Sequence, residues 1–197
     1  MLSRSAACPS PLRSTAKTKR AGVVRLGAAV AVAALLVSCR SGAKGEEGSG
    51  LLAVGKPAPE LAGQDQAGKS HRLGELKGQR YVVFFYPKAG TPGCTKEACA
   101  FRDVWDRYAA AKIGVFGVSS DSVDALKSFA DKHQLTFPLI SDTSGAWARA
   151  FGVNPRLGLY ERVSFLIGPG GNVARVYPQV DPGVHANEVL RDAEALR

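Results

Sequence analysis

The chain has 197 residues, is 45% hydrophobic and 22% charged, and carries a formal charge of +9. Its first fifty residues lack the pattern of folded protein, which leaves roughly 150, a normal length for one domain with a single core. The basic excess sits in residues 1–38, which hold Arg4, Arg13, Lys17, Lys19, Arg20 and Arg25 and no acid; without these six, 20 basic residues face 17 acidic ones, and no dense Lys/Arg run remains to favour nucleic acid as a partner.

In chain order, the basic leader runs into the apolar stretch Leu26–Val37 and then Ser38-Cys39. Such a stretch suits the core of a signal peptide and falls short of the ~20 residues needed to span a bilayer. The tetrad Leu36-Val37-Ser38-Cys39 resembles the bacterial lipobox, whose cysteine becomes the lipidated first residue of the mature chain. Residues 1–38 are therefore expected to be a lipoprotein-type signal peptide, with Cys39 the lipidation site. A lipid there would hold the protein on a membrane surface without spanning it, on the periplasmic side of a bacterial cell envelope. An ordinary secretory signal or a short anchor, with Cys39 incidental, is the competing reading. Residues 39–50 are rich in Gly, Ser and charge and read as a flexible tether. The domain is expected over 51–197.

Pro57-Ala-Pro59 forces an extended start. Residues 60–73 carry a hairpin signal around Asp65-Gln-Ala-Gly68. Arg80–Tyr86 is β-branched and aromatic throughout, the pattern of a central strand buried on both faces. Pro87–Gly93 breaks it into a loop, and a helix is expected from Cys94 to Ala111, with Ala98, Phe101, Trp105 and Tyr108 forming its apolar stripe. Glu97 and Arg102 sit mostly off that stripe, and surface solvation explains them as well as a site role does. Further strands are expected at Ile113–Val118, Phe137–Ile140, Arg162–Ile167 and Asn172–Tyr177, the last two joined by the turn Gly168–Gly171. Helices are expected from an Asp121–Asp124 cap to Gln134, over Ser144–Phe151 and over Glu188–Arg197. Alternating units that end in a hairpin predict an α/β fold, a central mixed sheet flanked by helices.

The cysteines are Cys8, Cys39, Cys94 and Cys99. Two thiols in the domain, five residues apart in an exported protein, favour redox chemistry over a structural framework. A four-thiolate zinc site is excluded by number, and His71, His133 and His185 stand singly, as surface or packing residues, so no metal site is expected. Cys94 lies where a strand turns into a helix, and there free N–H groups and the helix dipole favour a thiolate. Thr91 brings a hydroxyl into the same loop. Five residues along a helix advance ~7.5 Å and rotate ~140°, which sets the two cysteine Cα atoms roughly 8–9 Å apart. A disulfide tolerates about 7 Å, so a Cys94–Cys99 bond would require the first helical turn to unwind. Two buried core cysteines are the bland alternative, stronger for Cys99 than for Cys94.

The segment Tyr86-Pro-Lys-Ala-Gly-Thr-Pro-Gly-Cys-Thr-Lys-Glu-Ala-Cys-Ala-Phe-Arg-Asp103 closely resembles the active-site segment of peroxiredoxins, in particular the PrxQ or bacterioferritin comigratory protein type. Gly117-Val-Ser-Ser-Asp121, Phe137-Pro-Leu-Ile-Ser-Asp142, Phe151-Gly-Val153 and Arg162-Val-Ser-Phe-Leu-Ile167 extend the likeness over about residues 54–196. The resemblance implies a thioredoxin-like fold. It makes Cys94 the peroxidatic and Cys99 the resolving cysteine, with Thr91 hydrogen-bonding the peroxide and Pro87 shielding the thiolate. Arg162 would approach from a later strand, favour the thiolate and stabilise the charge developing in the transition state.

The implied reaction is reduction of hydrogen peroxide and organic hydroperoxides through a Cys94 sulfenic acid and a Cys94–Cys99 disulfide. A thioredoxin-like dithiol protein would reduce that disulfide, with no cofactor, and the chain would act as a monomer. Gly168–Gly171 departs from the family's acidic turn, and residues 154–160 lack its common Trp/Lys pattern at the rim of the pocket. The rival functions are an envelope thiol–disulfide reductase, disfavoured because Glu97 stands where a Cys-x-x-Cys pair needs its second cysteine, and a peroxide-sensing relay or binding module.

Overall fold

The computed structural model describes residues 50–196. The expected signal peptide, the Cys39 lipidation site and all but the last residue of the tether lie outside them. Strand β3, Arg80–Phe85, is the middle of the molecule. Its alternate side chains serve two different cores, which is why the run reads as continuously apolar. Val82 and Phe84, with Tyr86 beyond the strand, face one core, whereas Tyr81, Val83 and Phe85 face the other.

The sheet has seven strands in the order β2 (Ser70–Arg72), β1 (Ala62–Gln64), β5 (Leu139–Ser141), β4 (Ile113–Ser119), β3, β6 (Val163–Ile167) and β7 (Val173–Tyr177). Strands β4 and β5 run parallel to β3. Strand β6 pairs antiparallel with β3, and β7 antiparallel with β6. Strands β1 and β2 form the expected hairpin, with Asp65 accepting from the Ala67 and Lys69 amides to close its turn. Helices α1 (Pro92–Asp103), α2 (Trp105–Ala110), α3 (Val123–His133) and α5 (His185–Ala195) cover one face. Helix α4 (Ala146–Phe151), a 3-10 turn at Leu73–Leu76 and the extended start of the domain cover the other. This is the mixed, helix-flanked sheet expected from the order of elements.

Several boundaries differ from the sequence reading. The helix expected over 94–111 begins two residues earlier and breaks at Val104, whose backbone (φ −112°, ψ 12°) leaves the helical region. Phe101 before the break and Tyr108 after it both enter the same core, each essentially unexposed. Within the expected Asp121–Asp124 cap the N-cap residue of α3 is Ser122, which accepts from the Ala125 amide. Helix α5 starts at His185, a turn earlier than its apolar pattern suggested, because His185 and Ala186 are themselves buried. Among the described residues no helix is long and apolar enough to cross a membrane.

Candidate active site

The Tyr86 amide still donates to the Val118 carbonyl at the end of β3, and Pro87 then takes the chain out of the sheet. Asp121, just beyond β4, holds the resulting loop: one of its carboxylate oxygens accepts from the Ala89 amide and from the Ser119 hydroxyl, each at 2.8 Å. Thr91 is the N-cap residue of α1 in extended conformation, and Pro92 occupies the first helical position, where a missing N–H costs nothing. The Thr91 hydroxyl donates back to the Lys88 carbonyl at 3.0 Å, which leaves its lone pairs open to a donor. Cys94 is thus the third residue of the helix, in the turn whose N–H groups lack intrahelical acceptors.

Arg162 immediately precedes β6 and reaches across to this turn. Its Nη2 donates to Cys94 Sγ at 3.2 Å and its Nη1 to a Glu97 carboxylate oxygen. Gly93 leaves room for this approach: a Cβ there would stand 3.3 Å from Nη2. Cys94 is a free, buried thiol, 2% exposed, and Glu97 is 1% exposed. Burial pushes the Glu97 carboxyl up to about 7, against the pull of Arg162. Its second oxygen, Oε1, finds no hydrogen-bond partner, which accounts for the direction. Burial works against the Arg162 charge, but Glu97 and Cys94 outweigh it and keep the guanidinium protonated. One cation therefore serves two groups that can each become anions.

Of the residues singled out by sequence, Cys94, Thr91 and Arg162 converge on the start of α1, and Pro87 lies half-buried at the exit of β3. Cys99 lies on the same helix, buried at 5% exposure, and α1 runs unbroken through both cysteines. Phe101, two residues beyond Cys99, stacks on Phe84 with ring centroids 4.6 Å apart and pins the rest of the helix to the sheet. Two site residues escaped the sequence reading. Glu97 lies three residues after Cys94 and four before Phe101, on the same helix face, but by sequence alone solvation explains a charged residue there equally well. Asp121, the first residue of the segment expected to cap α3, holds the loop. Each histidine packs: His185 is buried with Nε2 2.8 Å from the Ser164 hydroxyl, and His71 pairs with Asp65 at 2.7 Å.

A helix-starting cysteine set against an arginine, at the end of the central strand of a thioredoxin-like sheet, defines the thiol peroxidases of that fold. Residues 54–176 match the AhpC/TSA family, and the chain belongs to it as a peroxiredoxin of the Bcp/PrxQ type. It is 40% identical to a putative peroxiredoxin bcp of Coxiella burnetii over 146 residues, which cover 71% of this chain and 97% of the relative. It is 36% identical to peroxiredoxin Bcp of Escherichia coli, over 71% of this chain and 94% of that one. The crystal structure of peroxidoxin BcpB from Mycobacterium tuberculosis superposes with a TM-score of 0.69 at 36% identity, covering 74% of this chain and 99% of that one. The bacterioferritin comigratory protein of Xanthomonas campestris, described for its alkyl peroxide reduction activity, superposes at 0.67 with 31% identity, over 73% and 98% of the two chains.

Proposed function

We propose that the protein reduces hydroperoxides by a two-cysteine cycle run along α1. The Cys94 thiolate attacks the terminal peroxide oxygen and the O–O bond breaks. The other oxygen, with its hydrogen or alkyl group, leaves and takes up a proton as water or alcohol, and the sulfur, having given two electrons, becomes a sulfenic acid. The Cys99 thiol then displaces hydroxide from that sulfur, forming the Cys94–Cys99 disulfide and releasing water. An external dithiol of the thioredoxin type returns both cysteines to thiols by exchange. Arg162 faces the charge that develops on sulfur and oxygen, Thr91 offers its hydroxyl to the peroxide, and Pro87 keeps water from the sulfur. The Arg162–Cys94 hydrogen bond of 3.2 Å carries this reading.

Five helical residues separate the cysteines, so the second step requires α1 to unwind between residue 94 and Phe101. The protein is proposed to alternate between a helical thiol form and a locally unfolded disulfide form. The leader reading adds location: a lipid on Cys39 would hold the domain, as a monomer, at the periplasmic surface of a membrane. Turnover of hydrogen peroxide and cumene hydroperoxide with a supplied thioredoxin system tests the cycle. Cys94→Ser is expected to abolish turnover, whereas Cys99→Ser keeps one stoichiometric oxidation and loses recycling. Full activity of the Cys94→Ser protein would sink the proposal, and the mass of the mature N-terminus decides the lipid.

A further inference from the structure

Residues 154–161 form a short hairpin that leads straight into Arg162. Arg156 and Leu159 exchange both backbone hydrogen bonds, at 2.8 and 3.0 Å, around the two-residue turn Leu157-Gly158. Both turn residues have positive φ, 52° and 77°, the geometry of a type I′ turn, whose first position favours Asn, Asp or Gly. Leucine there is strained and, in this chain, also fully exposed, with Leu159 beside it at 41%. A β-hairpin tip that places its largest apolar side chain in water, at a backbone position leucine avoids, gains nothing within the chain.

The hairpin stands beside the active site. The Ser120 hydroxyl donates to the Gly158 carbonyl at 3.2 Å, and Ser120 lies between Ser119 and Asp121, which hold the Cys94 loop. At its other end the next residue is Arg162, whose guanidinium contacts Cys94. The start of the domain is fixed at the base of the same hairpin. The Leu52 amide donates to the Phe151 carbonyl at 2.9 Å. Gly152, at φ +70°, sits so close to Gly50 that a Cβ there would meet the Gly50 carbonyl oxygen at 1.9 Å. A Cβ on Gly50 would in turn lie 3.7 Å from the Asn154 side chain. The described chain therefore starts at the base of the hairpin that carries Leu157.

We infer that the 154–161 hairpin is a membrane-docking tip that lays the Cys94 pocket on the lipid bilayer, and that phospholipid hydroperoxides in that bilayer are substrates. The inference rests on the lipid-anchor reading of Cys39 and deepens the proposed peroxidase. From Cys39 to Gly50 the chain reaches at most about 40 Å, so Leu157 and Leu159 meet the surface at the high effective concentration of a tether, where shallow insertion of two leucines suffices. The hydroperoxide group of an oxidised acyl chain is polar and rises toward the headgroups, within reach of a pocket at the surface. Attack by Cys94 on the terminal oxygen breaks the O–O bond and leaves a Cys94 sulfenic acid; the lipid departs as an alkoxide that takes up a proton to become the lipid alcohol, Cys99 then displaces water to form the disulfide, and the external dithiol reduces it.

The test uses the full chain on vesicles of phosphatidylethanolamine and phosphatidylglycerol that contain phosphatidylcholine hydroperoxide. Leu157→Asn/Leu159→Ser keeps a residue that tolerates the turn and removes the apolar tip. Its rate on the vesicle hydroperoxide is expected to fall about ten-fold, the loss of one weak insertion step, with hydrogen peroxide turnover unchanged. Equal rates on vesicles, an equal fall on both substrates, or a fall that instead raises the KM for the dithiol protein would each overturn the docking role, the last in favour of a protein-binding tip. Leu157→Trp gives a readout independent of catalysis: brominated acyl chains should quench the added fluorescence, and a tryptophan that stays solvent-exposed refutes docking. A parent protein inactive on hydrogen peroxide would refute the peroxidase reading and leave the quenching result to decide the tip.

Discussion

Replacing Glu97 by Gln should remove a pH dependence from the stability of the fold. The folded state raises this carboxyl from 4.5 to about 7, which at 1.36 kcal/mol per pH unit corresponds to about 3 kcal/mol. The folded state holds the Glu97 proton more tightly than the unfolded chain does. Its contribution to stability is therefore fully present below pH 4.5 and is lost as pH rises through about 7. His133 and His185 act in the opposite direction: burial pushes both down, so they favour the fold as pH rises. The wild-type profile alone thus mixes contributions of both signs, and the difference between wild type and Glu97→Gln isolates one. Urea denaturation of both proteins with reductant present, in steps from pH 4.5 to 8, should show the wild type losing about 3 kcal/mol relative to the variant. Parallel curves would refute the argument, and would mean that Arg162 fully compensates the burial of Glu97.

Phe101→Ala removes the ring that stacks on Phe84 and holds α1 to the sheet, and should cost about 3–5 kcal/mol in chemical denaturation. The same variant should form the Cys94–Cys99 disulfide faster in a stopped-flow assay, because less packing resists unwinding. Asp121→Ala frees the Ala89 amide and the Ser119 hydroxyl; first-turnover oxidation of Cys94 by hydrogen peroxide should slow about ten-fold, as expected for a small misplacement of reacting groups. Its melting temperature should change little, since Asp121 holds a loop at the edge of the core.

The sequence by itself determined the local parts of the protein. A central strand buried on both faces must be apolar at every position, and Arg80–Phe85 is. A Pro-containing loop before a helical stripe puts Cys94 at a helix start, and the five-residue spacing puts Cys99 out of disulfide reach on that helix. These follow from periodicity and backbone geometry, which are properties of neighbouring residues. The β1–β2 turn was legible for the same reason, because Asp65 closes it through amides two and four residues away.

Only the tertiary structure decided what polar residues do. Glu97 reads as a surface residue until Arg162, 65 residues later in the chain, supplies the countercharge that lets a carboxyl be buried. Asp121 reads as a cap until the end of β4 is brought beside the Cys94 loop, where its carboxylate finds the Ala89 amide. Helix α1 ends at Val104 although the apolar stripe from Ala98 to Tyr108 continues past it, because periodicity records which face is buried and not where the backbone leaves the helix. Charge and hydrogen-bonding capacity say that a residue needs partners, and the fold alone says which.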